Sequence, residues 1–213
     1  MVKKLLIGFV LVLAALYVAA DFGARALAGA GVARELQTSL ELSSKPDVSL
    51  GGFPFIPKLV SGHFDTVTVS ANGFSSGGVR FAGVDLTLHD VKTSTWRVLR
   101  GADTTIAVGG GEGSATMTAA DASAALRSAG LPLSVTFHDG KIAVAASTGG
   151  SPAVPVTAVV RHGALLLRSG GLPDPIRIRL PQVIPSLHFT GVKVVGPRAA
   201  FTFTVRRATL KVA

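Results

Sequence analysis

The 213-residue chain contains no cysteine, which excludes disulfides and thiolate metal sites. Tryptophan and tyrosine occur once each, against eleven phenylalanines. Phenylalanine carries no N–H or O–H to satisfy, so an aromatic set of this kind suits apolar walls. His-Glu-x-x-His is not present. The five histidines, His63, His89, His138, His162 and His188, are dispersed, and none has a second histidine at ligand spacing. Gly109-Gly110-Gly111 with Gly113 lacks the Lys-Ser/Thr that completes a phosphate loop and reads as a flexible loop between strands. Asp65, Asp85 and Asp90 lie on or beside expected strands as solvent-face and turn carboxylates, with a hydrolytic pair as the rival reading. The chain is expected to be no enzyme and to need neither cofactor nor metal.

Acidic residues are few as well: 12 against 21 lysines and arginines, a net charge of +9. Beyond Ser151 the sole acid is Asp174, while Arg161, Arg168, Arg177, Arg179, Lys193, Arg198, Arg206, Arg207 and Lys211 are basic. Anionic lipid headgroups and acidic envelope polymers are partners for such a surplus. Nucleic acid is not, because aromatics do not interleave with these arginines as they do in single-strand binders. A plain solvated basic face is the alternative.

What is present begins with Lys3 and Lys4 ahead of an uncharged apolar run, Leu5 to Ala20. This is a signal peptide or a short membrane anchor, slightly under the ~20 apolar residues of a full span. Residues beyond Asp21 could extend it. Val18-Ala19-Ala20 permits cleavage after Ala20, Ala28-Gly29-Ala30 permits a later one, and retention is equally open. In each case the lysines keep the N-terminus inside and send the rest out of the cytoplasm. The chain therefore divides into residues 1–20 and a domain of residues 21–213.

Phe22 to Leu42 reads as a helix, with Leu27, Val32, Leu36 and Leu40 near helical spacing and Ser43-Ser44-Lys45-Pro46 ending it. Strands follow, and Asn72-Gly73 supplies a hairpin turn. Thr118 to Ala129 is a second helix: Thr118 is an N-cap with Asp121 three residues on, and Ala122, Ala125, Leu126 and Ala129 form its inward face. Hairpins are expected around Asp139-Gly140, His162-Gly163 and Gly196-Pro197. The pair Val154 to Leu167 is apolar on both faces, which requires cover on both sides.

The most distinctive stretch is Pro46 to Val69, PDVSLGGFPFIPKLVSGHFDTVTV. Its prolines argue against a helix interior, so Phe53 and Phe55 are expected to be buried in the wall of an apolar cavity. Pro-x-Val, then Gly-Gly-Phe-Pro-Phe, then Ser-Gly-His-Phe-Asp-x-Val-x-Val, then the strand Val84 to Val91 together resemble the LmeA-like phospholipid-binding proteins of actinobacterial cell envelopes. The resemblance runs from about residue 20 to the C-terminus and implies an extracytoplasmic, non-enzymatic lipid binder, with phospholipid and the membrane surface as partners. The expected fold is α+β: a curved antiparallel sheet around a long N-terminal helix, with a smaller second helix, similar to the tubular lipid-binding (TULIP-like) superfamily. The expected lipid contacts are Phe53, Phe55, Phe64, Phe137, Phe189, Phe201 and Phe203 for acyl chains, and Arg177 and Arg179 for phosphate. The rival classes are a membrane-tethered scaffold for envelope assembly and an envelope hydrolase.

Overall fold

The computed structural model describes residues 2–40, 42–76, 78–94, 97, 104–138, 140–147, 152–170, 175–180 and 186–212, with the side chains of 2–9, 104, 179 and 210–212 outside that description. Two antiparallel sheets carry most of the domain. The elements are α1 (Val2–Ser39), β1 (Asp47–Leu50), α2 (Phe55–Ser61), β2 (His63–Ser76), β3 (Val79–Thr93), β4 (Thr104–Thr118) and α3 (Ala119–Ser128). They continue as β5 (Leu133–His138), β6 (Lys141–Ala146), β7 (Val154–Arg161), β8 (Ala164–Arg168), β9 (Ile176–Arg179), β10 (Leu187–Val195), β11 (Arg198–Val205) and β12 (Ala208–Val212). The larger sheet runs β1-β2-β3-β4-β11-β10, with β12 also on β4; the smaller runs β5-β6-β7-β8-β9. This is the expected α+β architecture with a long N-terminal helix and a smaller second one.

The helix expected from Phe22 is continuous with the apolar run before it, and α1 ends at Ser39. Two environments divide its described side chains. Val10 to Leu13, Leu16 and Tyr17 are exposed apolar residues, whereas Ala33 is buried and Ala24, Ala28 and Leu36 pack on a cluster of Val48, Leu50, Phe55, Phe64, Val67 and Val91. Gly29 lets the helix approach β1, since a Cβ there would stand 2.6 Å from the Val48 carbonyl oxygen.

The Gly-Gly-Phe-Pro-Phe segment departs from expectation in two ways. First, it enters a helix: α2 starts at Phe55 with Pro57 in its first turn. A proline there breaks nothing, because first-turn N–H groups have no intrahelical acceptor. Second, Phe53 is 63% exposed, while Phe55 is fully buried. The cap of α2 comes from a distance. Pro54 offers no side-chain cap, and Asp21 of α1 accepts hydrogen bonds from the backbone N–H of Phe55 at Oδ2 and of Ile56 at Oδ1, both 2.8 Å. Asp21 is 3% exposed. It is thus a helix N-terminal anion, not a polar interruption of a longer apolar span.

Two further expectations are corrected. Gly73 does not turn the β2–β3 hairpin: it sits inside β2 with φ +69°, and the ladder runs on through Phe74↔Phe81 to Ser76↔Val79. Glycine at positive φ is as compatible with a distorted strand position as with a turn, and sequence alone does not separate the two. Likewise, Gly109 to Gly113 is no loop but the middle of β4, paired with β3 on one side and with β11 from Gly111 on the other. There glycine makes room: a Cβ on Gly113 would fall 2.5 Å from Phe203 Cζ. The β5–β6, β7–β8 and β10–β11 hairpins stand as expected, with Asp139 itself outside the described residues and His162 and Gly163 both at positive φ.

Candidate functional site

Helix α3 packs against both sheets. Its cap forms as the sequence indicated: Thr118 Oγ1 accepts from the Asp121 N–H at 3.2 Å and lies 2.6 Å from Asp121 Oδ2. The capped helix then presents Ala122, Ala125 and Leu126 inward, while Ala129, expected on that face, is exposed beyond the helix end. Its small side chains let the helix lie close to its neighbours and leave space beside it.

That space is a cavity of about 50 Å³ between the sheets. Every described residue lining it is apolar: Met117, Ala122, Ala125 and Leu126 from the β4–α3 side, Phe137, Ile142, Leu165, Leu167 and Ile178 from the smaller sheet, and Val192, Ala199 and Phe201 from β10 and β11 among them. Strand alternation explains the supply. Val160, Leu165 and Ile178 form one row across β7, β8 and β9, and Ala158, Leu167 and Ile176 the next. Their side chains belong to the core clusters around α3. The intervening row, Val159, Leu166 and Arg177, points the other way, and Val159 is 37% exposed. The second face of this strand pair is therefore not covered as its apolar sequence required; part of it meets solvent.

The phenylalanines divide between two places. Phe137 and Phe201 line the cavity. Phe189 and Phe203 back Phe201, with ring centroids 6.1 Å from Phe201 to Phe189 and 5.7 Å from Phe189 to Phe203 in edge-on geometry. Phe81 meets Phe201 edge-on at 6.2 Å. Phe55 and Phe64 instead pair with each other at 6.0 Å under α1 and line no part of this cavity. Arg177 is exposed and lines neither this cavity nor its neighbour; the Arg179 side chain lies outside the described residues.

The neighbour is an open groove of about 810 Å³ between β10 and strands β6 to β8. Lys141, Arg168 and Lys193 line it, and Ile142, Ala158 and Val192 belong to its wall and to the cavity's alike. Sequence reasoning missed this grouping because the three cations come from separate strands. Among the described residues no group of three or more His, Asp or Glu is placed to hold a metal ion.

Among the described residues an apolar cavity lies beside a groove lined by three cations, an arrangement that suits an amphiphile. Residues 19–212 match the LmeA-like phospholipid-binding family, and the chain belongs to that family. It is accordingly a non-catalytic phospholipid-binding protein of the extracytoplasmic cell envelope, in line with its apolar N-terminal helix. No curated protein and no solved structure matches it.

Proposed function

We propose that the protein holds phospholipid acyl chains between its two sheets, beside α3, and that it carries or maintains lipids of the cell envelope from a position at the membrane surface. One observation carries this reading: a cavity whose described lining is apolar throughout, at the junction of both sheets and α3. At about 50 Å³ it is well below the ~300–1,000 Å³ of pockets that enclose whole ligands. Uptake therefore requires the walls to part, with α3 and the cavity-lining strands moving away from one another. Each methylene that enters gains roughly 0.8 kcal/mol relative to water. Relative to a bilayer the gain is close to zero, and near-neutral exchange is what carriage requires. The exposed apolar residues of α1 between Val10 and Tyr17 supply the membrane contact, as signal or anchor.

Ala125→Trp tests the cavity. The indole occupies space the chains would use, so lipid taken up from vesicles and counted by native mass spectrometry is expected to fall at least about fivefold while the fold survives. Phe53→Asp, on an exposed ring, is expected to change nothing. Full uptake by a folded Ala125→Trp protein would move the acyl site elsewhere.

A further inference from the structure

We infer that the groove between β10 and strands β6 to β8 is the seat of the lipid's phosphate, held by Lys141, Arg168 and Lys193. The inference rests on the acyl-chain reading above and adds to it the chemistry of the headgroup.

Three observations carry it. First, the groove is a built feature of the fold. Strand β7 changes partner within it: Val154 to Val156 pair with β6, and Thr157 to Arg161 pair with β8. Thr157 is the partner of Arg168, and Lys141 stands next to Ile142, the partner of Val156. Lys141 and Arg168 therefore flank β7 from its two sides, with about two strand spacings, ~10 Å, between their backbones. Lys193 comes from β10, the strand across the groove. Two long side chains from one sheet and a third from the other strand surround a space of about 810 Å³.

Second, the charge is one-sided and unspent. Among the described residues no lining residue is acidic, and none of the three cations has an ion pair. Among the described residues the lysine–carboxylate pairs, Lys58 with Asp65 and Lys92 with Asp90, lie on the other sheet and its flanking helix. A phosphodiester meets this arrangement directly. Arginine offers two parallel donors to phosphate oxygens, and lysine adds a point charge.

Third, Ile142, Ala158 and Val192 belong to the groove and to the apolar cavity alike. A phosphate in the groove thus sits one side chain away from where its own acyl chains would lie. Free phosphate in the same place would have no use for that neighbour.

The consequence is selectivity. The charge of three cations exceeds that of one phosphodiester, and among the described residues no carboxylate lines the groove to receive an ammonium. Phosphatidylglycerol is expected to bind better than phosphatidylcholine. The test compares the full-length protein with Lys141→Gln/Arg168→Gln/Lys193→Gln, using vesicles of phosphatidylcholine with and without phosphatidylglycerol and native mass spectrometry for the lipid taken up. The unaltered protein is expected to prefer phosphatidylglycerol by roughly tenfold, with the preference weakening as salt rises. The triple variant is expected to lose the preference and keep its phosphatidylcholine uptake. Arg168→Lys alone, which preserves the charge, is expected to keep most of the preference. An undiminished preference in the triple variant would remove the phosphate from this groove and leave the acyl reading intact. Loss of both lipids together in a folded triple variant would also overturn the inference, since neutralisation should spare the zwitterionic lipid. Inorganic phosphate is the third probe: if it competes fully with phosphatidylglycerol at equal concentration, the groove binds phosphate as such and not the lipid's headgroup. Uptake of neither lipid by the unaltered protein would count against the acyl reading itself.

Discussion

At the scale of single residues, three aspartates show how much the neighbourhood decides. Asp21, at the end of an apolar run, is buried and caps a helix from another part of the chain. Asp121 completes the cap of α3 within its own turn. Asp90 is exposed, stands at φ +50°, and has Lys92 Nζ 3.3 Å and His63 Nε2 2.8 Å from Oδ1. The hydrogen bond from Lys92, and next the one from His63, hold its carboxyl below the ordinary 3.8. A lowered carboxyl value means that its contribution to stability is complete above about pH 4 and disappears as the pH falls through the lowered value. A carboxyl NMR titration is therefore expected to give Asp90 a midpoint below 3.8, moving back towards it in Lys92→Gln. An unshifted midpoint in the unaltered protein would show that the Lys92 and His63 contacts do not persist in solution. The phenylalanines make the same point about neighbourhood. Phe53 and Phe55 are two residues apart, yet one is exposed and the other sealed by α1.

Among the elements, β4 organises the larger sheet. It pairs with β3 on one edge and with β11 and β12, placed end to end, on the other. Its glycines answer the crowding at its centre: at Gly111 a Cβ would meet the Thr87 carbonyl oxygen at 2.5 Å, and at Gly113 the Phe203 ring at the same distance. Gly113→Val is expected to destabilise the domain by about 1–3 kcal/mol, since backbone and an aromatic ring must both shift. Urea denaturation measures this; a variant as stable as the parent would mean that β4 and β11 are further apart than described. Gly110, where the nearest atom to a Cβ is the Val205 carbonyl oxygen at 3.5 Å, is the tolerant control. Helix α3 shows the opposite relation to sequence. Its Thr118 start, its Asp121 partner and three of its four expected inward residues are readable because they depend on contacts within one or two turns.

For the whole molecule, α1 joins an exposed apolar segment to the lipid-binding domain without a break. Its later half is domain: Asp21, Gly29 and Ala33 all serve contacts with α2, β1 or the core beneath them. A chain beginning at Asp21 is therefore expected to fold with nearly full stability. One beginning at Gly31 loses both Asp21 hydrogen bonds and the Ala24 and Ala28 packing, and is expected to lose at least about 2 kcal/mol in urea denaturation. Equal midpoints for the two would detach this half of α1 from the domain. Sequence by itself determined what local pattern determines: the apolar start, the alternating strands, the three reverse turns, the capped α3, the excess of phenylalanine over polar aromatics, and the family motif around Gly-Gly-Phe-Pro-Phe. Only the tertiary structure decided which phenylalanines share a cavity, that Asp21 rather than a nearby residue caps α2, and that Lys141, Arg168 and Lys193 face one groove while Arg177 does not. The reason is physical. Turns and caps are short-range interactions written in adjacent residues, whereas a groove is made where β10 of one sheet meets β6 to β8 of the other, and no periodicity along the chain records that meeting.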